Sequence, residues 1–111
     1  MKKAFLLILS IAVLAQTASA FEDKVVMVRS QKMDKDVPVT IVTPDSYDGS
    51  VPMPVLYLLN GWSGDHRHWL ERGKVGCLAD RYEVILVMPD TGYDSWYFDS
   101  TFTPEYQYET F

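Results

Sequence analysis

The chain carries two kinds of apolar run, and the contrast between them predicts how it folds. Val25-Val26-Met27-Val28 and Val37-Pro38-Val39-Thr40-Ile41-Val42 are short, β-branched and bounded by polar residues, which predicts two strands. The polar stretch Ser30–Asp36 between them predicts a hairpin connection. Pro38, near the start of the second run, marks a strand beginning or an edge position, because proline cannot donate to a ladder. Thr43–Ser50, with Pro44, Asp45, Asp48 and Gly49, reads as a turn-rich loop. Val55–Leu59 and Val84–Met88 are instead continuously apolar, the pattern of strands buried on both faces of a parallel sheet.

Between these last two runs, residues 66–81 place Trp69, Leu70, Val75, Leu78 and Ala79 at helical spacing. Gly73 and Gly76 weaken the middle, which predicts two short helices as readily as one. Strand, loop, helix, strand is a βαβ unit with parallel strands and a right-handed crossover. The predicted class is therefore α/β, an antiparallel hairpin leading into a parallel, doubly wound sheet. Thr103-Pro104-Glu105 before Tyr106–Phe111 has the composition of a helix start, with Thr103 as N-cap and Pro104 in the first turn.

The first twenty residues stand apart from this pattern. Lys2 and Lys3 precede an apolar run, Ala4–Ala15, broken by Ser10, and Ala18-Ser19-Ala20 follows. Basic, apolar and small-x-small in that order predict a signal peptide over residues 1–20, cleaved between Ala20 and Phe21. The run is shorter than the ~20 apolar residues of a spanning helix. The expected product is exported, periplasmic or extracellular, with no membrane attachment after cleavage.

Charge and composition then narrow the function. Losing Lys2 and Lys3 takes the net charge from −5 to −7, and an acidic surface is ill suited to nucleic acid, whose phosphates require cationic contacts. Cys77 has no cysteine partner, so no internal disulfide forms, and a buried, inert thiol on a helix is expected. A 48% hydrophobic and 14% aromatic composition is heavy for a chain of 111 residues. Tyr108–Phe111 also falls inside an expected element, so residues 21–111 read as an incomplete, N-terminal portion of a larger domain.

Ligands of open α/β sheets bind beyond the carboxyl ends of the strands, which singles out the loops Asn60–Asp65 and Pro89–Tyr97. Ser63 lies between Gly61 and Gly64 in "LLNGWSGD" and is the first candidate nucleophile. The sharp turn that exposes such a serine requires G-x-S-x-G. Gly61 satisfies the first position, but Asp65 occupies the last, so the spacing fails and no other serine is flanked better. The alternative is a loop supplying main-chain N–H donors to an oxyanion, for which Gly61 and Gly64 would permit close approach of substrate.

Other constellations carry less. His66 and His68 are two residues apart, point in different directions at a helix start, and have no further ligand at metal-site spacing. Asp90, Asp94 and Asp99 lie among Tyr93, Trp96, Tyr97 and Phe98. They fit turn-capping aspartates better than a calcium loop, while Trp96 is a candidate to pack an acyl or aryl group. No metal and no cofactor are expected.

The linked segments "PVLYLLNGWSGDHRHWLERG", "YEVILVMPDTGYDSWYFDS" and "YETF" are more specific than any one motif. Over residues 24–111 the chain resembles the N-terminal third of the esterase D and S-formylglutathione hydrolase-like α/β-hydrolases. Within that group it is most similar to secreted esterases of the tributyrin and feruloyl type, with mycolyltransferases as distant kin. The resemblance implies a serine carboxylesterase acting on small acyl or aryl-acyl esters through an acyl-enzyme. It places the oxyanion donor on the N–H of Trp62, substrate contacts on Gly61, Trp62 and Trp96, and the nucleophilic Ser with its Asp and His beyond residue 111. Asn60 stands where that family usually has histidine. An alternative from another class is a secreted binding module that keeps the fold and has lost catalysis.

Overall fold

In the computed structural model of the protein the described residues are 21–111; the leader expected over residues 1–20 lies outside them. Strands β1 (Glu22–Ser30) and β2 (Lys35–Thr43) form an antiparallel hairpin whose register runs from Glu22↔Thr43 to Ser30↔Lys35. The connection is Gln31–Asp34, shorter than the polar stretch suggests. It tightens because Asp34 adopts a left-handed backbone (φ 51°) and Met33 N–H donates to Ser30 Oγ at 3.3 Å.

Strand β3 (Val55–Tyr57) is followed by helices α1 (His68–Gly73) and α2 (Val75–Tyr82) and then by strand β4 (Ile85–Pro89). The sheet order is β1-β2-β4-β3. β3 pairs parallel with β4 from Val55↔Ile85 to Tyr57↔Val87, as the βαβ reading predicts, while β4 runs antiparallel to β2. The result is the mixed sheet expected where a hairpin enters a parallel unit. The helical segment divides at Lys74, which is left-handed (φ 51°) directly after Gly73. A second left-handed residue, Glu83, ends α2 and returns its N–H to the carbonyls of Ala79 and Asp80, closing the last turn as a C′ residue does.

The core lies between the sheet and α2. Val42, Leu86 and Met88 meet Val75 and Ala79, with Phe21, Leu58, Leu70 and Val84 packed around them. Each large apolar side chain buried here contributes about 1.5–3 kcal/mol relative to exposure. Gly76 belongs to the buried stripe of α2 because a Cβ there would lie 2.3 Å from the ring of Phe21. The first residue expected after signal cleavage is thus part of the packing.

Several expectations are corrected. The run Val55–Leu59 yields a three-residue strand at the sheet edge, and Val55, Leu56 and Tyr57 are all exposed. The two-sided burial read from its apolarity is absent because no described residue pairs with its outer edge. Cys77 is exposed, since the buried stripe of α2 passes through Val75, Gly76 and Ala79 and leaves Cys77 and Leu78 outside it. Pro38 sits in an interior strand, but the β2–β4 register begins only at Val39↔Pro89, and at Pro38 the main chain need only accept, its carbonyl taking the Asp90 N–H at 2.9 Å.

Thr103-Pro104 starts a turn instead of a helix, with Tyr106 N–H reaching Thr103 O at 3.0 Å. The side chain of Gln107 takes the local carbonyls instead, Nε2 donating to Ser100 O at 2.6 Å and to Thr103 O at 3.2 Å. Pro104 then occupies a turn position for which its fixed φ is equally suited.

One apolar face is uncovered by the described residues. A groove of about 590 Å³ runs between β3 and the helices, lined by Leu56, Leu58, Trp69, Leu78, Tyr82 and Leu86 among others. Trp69 and Leu78, expected in the core by their spacing, border this groove and stay partly exposed. Among the described residues no helix is long and apolar enough to cross a membrane.

Candidate active site loops

The carboxyl ends of the adjacent parallel strands β3 and β4 bring the two loops singled out by sequence against each other. The first is a tight turn: Gly64 N–H donates to Gly61 O at 3.0 Å, and Ser63 at the third position has φ 58°. A positive φ at that position is the mark of a type II turn, which favours glycine. Ser63 is therefore held in a backbone strained by about 1–2 kcal/mol. Gly64 is required by space, because a Cβ would stand 3.1 Å from both Asn60 Cβ and Gly61 O, whereas around Gly61 nothing lies within 4 Å.

The second loop is fastened to the first at three points. Ser63 N–H donates to Tyr93 O at 2.8 Å. Asp90 accepts from His66 N–H at 3.3 Å through one oxygen and from Gly92 N–H at 2.6 Å through the other. Asn60, 4% exposed, accepts from Thr91 Oγ1 at 3.1 Å, and its main-chain carbonyl accepts a short hydrogen bond from the Tyr97 hydroxyl. His66 is anchored in turn by contact of its Nδ1 with Thr40 Oγ1 at 2.6 Å, beneath the loop on β2.

Trp62 projects from this braced turn. Its side chain is 67% exposed and meets Tyr93 edge-on, with ring centroids 6.3 Å apart. The turn uses the N–H groups of Ser63 and Gly64, while that of Trp62 has no acceptor among the described residues. Trp96 is exposed as well, at 63%; the ring that reaches Trp62 is that of Tyr93.

The aspartates divide as turn residues do. Asp90 holds the loop start, and Asp94 accepts from the Tyr106 hydroxyl at 3.1 Å, a bond that raises the Tyr106 pKa above its ordinary value. Asp99 accepts from Lys32 Nζ at 2.6 Å and from the Thr110 N–H and hydroxyl, and these bonds hold its pKa down at about 2. Among the described residues no three His, Cys, Asp or Glu side chains converge to hold an ion.

Sequence reasoning located both loops but missed the parts of Thr91, Tyr97 and Asp90 in joining them. Thr91 was within reach, since neighbouring parallel strands end side by side and Asn60 and Thr91 lie just beyond those ends. Tyr97 gave no such signal.

A mixed sheet with a hairpin entry, a helical crossover and two braced loops at the carboxyl ends of parallel strands defines part of an α/β-hydrolase. The chain belongs to the esterase family: the family model described as "Putative esterase" matches residues 30–111. It is similar in structure to a ferulic acid esterase, at 29% identity and a TM-score of 0.69, over 81% of this chain and 38% of that one. It is also similar to an S-formylglutathione hydrolase from Agrobacterium tumefaciens, at 22% identity and a TM-score of 0.71, over 86% of this chain and 41% of that one. A third similar structure is a ferulic acid esterase from the anaerobic fungus Anaeromyces mucronatus, at 20% identity and a TM-score of 0.60, over 82% of this chain and 37% of that one. No curated protein matches the chain. The chain thus spans about two fifths of the length of these esterases. The resemblance to the esterase D and S-formylglutathione hydrolase-like enzymes read from "PVLYLLNGWSGD" and "VMPD" agrees with the family match and with these neighbours.

Proposed function

We propose that residues 21–111 form the oxyanion side of an exported serine carboxylesterase. The nucleophile, its histidine and its aspartate belong to the part of the hydrolase outside this chain. The observation that carries the reading is the main-chain N–H of Trp62, which has no acceptor among the described residues, on a turn whose Ser63 and Gly64 N–H groups are engaged and which the neighbouring loop holds in place.

Ester cleavage by serine needs such a donor. The serine oxygen attacks the ester carbonyl carbon as its proton passes to histidine, and the carbonyl π electrons move onto oxygen. A main-chain N–H aimed at that oxygen stabilises the charge at the moment it forms. Collapse restores the carbonyl and breaks the ester C–O bond, and the departing alkoxide leaves as alcohol with the proton held by histidine. Water then repeats the sequence on the acyl-serine and releases the acid. Small acyl or aryl-acyl esters suit the exposed aromatic pair Trp62 and Tyr93, whose ring centroids lie 6.3 Å apart beside this donor.

Export follows from the leader predicted over residues 1–20, with cleavage before Phe21. The test is hydrolysis of p-nitrophenyl acetate and methyl ferulate by the natural full-length protein and its Trp62→Pro variant. Turnover that is lost in the variant supports the reading. Turnover that persists undiminished removes Trp62 from the oxyanion role.

A further inference from the structure

We infer that Asn60 is the positioning residue for the Trp62 oxyanion donor, and that Thr91 and Tyr97 lock it in place. This rests on the esterase reading above and identifies what aims its donor.

The peptide that matters joins Gly61 to Trp62. Its carbonyl oxygen, Gly61 O, accepts twice: from Gly64 N–H at 3.0 Å and from Asn60 Nδ2 at 3.2 Å. The described chain contains no cis peptide, and in a trans peptide the C=O and N–H point in opposite directions. Two donors that hold the carbonyl toward the protein therefore turn the Trp62 N–H outward. Hydrogen bonds to a peptide oxygen also polarise the N–H at its other end. The same two contacts thus aim the donor and strengthen it.

The amide of Asn60 has one workable orientation. Gly61 O can only accept, so the nitrogen must face it, and Oδ1 is left for the Thr91 hydroxyl at 3.1 Å. The Tyr97 hydroxyl secures the main-chain carbonyl of Asn60 itself. Side chain and backbone of Asn60 are both fixed from the second loop, at a site that is 4% exposed. The oxyanion loop is thereby referenced to β4 through Thr91 as well as to its own strand, β3.

The experiment compares Asn60→Ala, Asn60→His, Tyr97→Phe and Trp62→Pro in the natural full-length esterase, reading kcat, KM and melting temperature. A positioning role predicts that Asn60→Ala lowers kcat by roughly tenfold with KM little changed, because the N–H works in the transition state. Tyr97→Phe removes one oxygen without opening a cavity and is expected to lower kcat several-fold with the same split. Asn60→His restores a ring donor and is expected to recover part of the loss.

If Trp62→Pro is crippled while Asn60→Ala and Tyr97→Phe keep the wild-type kcat, the positioning role is wrong and the oxyanion reading stands. If Trp62→Pro is fully active, the oxyanion reading itself fails and the positioning role falls with it. Should Asn60→Ala unfold, Tyr97→Phe decides: an unchanged kcat overturns the inference, and a lowered kcat at a retained melting temperature supports it.

Discussion

The main-chain N–H of Ser63 lies 2.8 Å from the carbonyl oxygen of Tyr93. That bond is one of those joining the turn after β3 to the loop after β4, and it holds a serine in a left-handed backbone there. The strain is offset by a bond that could not form if the turn opened. Ser63 thus braces the turn through its main chain, while the N–H of its neighbour Trp62 has no acceptor among the described residues.

Side-chain and main-chain changes at Trp62 should separate cleanly. In the full-length esterase, Trp62→Ala keeps the N–H and is expected to leave kcat within a few-fold of wild type. Trp62→Pro deletes it and should lower kcat by about 10²–10³-fold, as for other oxyanion donors. Steady-state hydrolysis of p-nitrophenyl acetate measures both.

Gly64→Ala tests the closeness of the same turn. The added methyl would meet Asn60 Cβ and Gly61 O at 3.1 Å and His68 Nδ1 at 3.3 Å. Two of these are fixed by the turn itself, so the turn must shift. The expected result is a fall in kcat of tenfold or more, on the scale of a small misplacement at a catalytic group. A variant with wild-type kcat would show that the turn absorbs the methyl.

Gly76→Ala probes the docking of the expected mature N-terminus. Its methyl would collide with the Phe21 ring at 2.3 Å, and overpacking of this kind costs about 1–3 kcal/mol. Denaturant unfolding should show the loss, and combining the change with Phe21→Ala should recover part of it. Additive losses in the double variant would mean that Phe21 does not occupy the space over Gly76.

Asp99 should leave a mark on acid stability. Its hydrogen bonds from Lys32 and Thr110 depress its pKa from 3.8 to about 2. A carboxyl with a depressed folded-state pKa contributes stability that is fully present above its unfolded value and is lost as the pH falls through the folded one. The contribution should therefore fade between pH 3.8 and about 2. Melting temperatures across that window are expected to fall less steeply in Asp99→Asn than in wild type, and identical slopes would contradict the pairing with Lys32.

How far the sequence reaches depends on whether the governing interaction is local. The hairpin, the parallel pairing of β3 with β4 and the break near Gly73 follow from period, branching and turn residues that act within a few positions. Burial of Val55–Leu59 does not, because apolarity records the environment a segment is suited to, and here its outer edge faces no described partner. Thr103-Pro104 failed for a related reason: the same residues that start a helix also start a turn, and the choice was made by the amide of Gln107. At the site, "NGWSGD" exposed the turn, and its spacing departs from G-x-S-x-G at Asp65. The bonds that aim the turn come from Thr91, Tyr93 and Tyr97, about thirty residues away; the parallel strand ends bring Thr91 beside Asn60, but no local pattern marks the pairing of Tyr93 or Tyr97.

If this chain forms the oxyanion side of a serine esterase, Ser63 is scaffold and the reactive serine lies elsewhere. Labelling the natural full-length protein with a fluorophosphonate, followed by peptide mass mapping, tests it most directly. One stoichiometric adduct is expected on a serine outside residues 21–111, with labelling sharply slowed in Trp62→Pro. An adduct on Ser63, or a protein that hydrolyses no ester and takes no label, would contradict it.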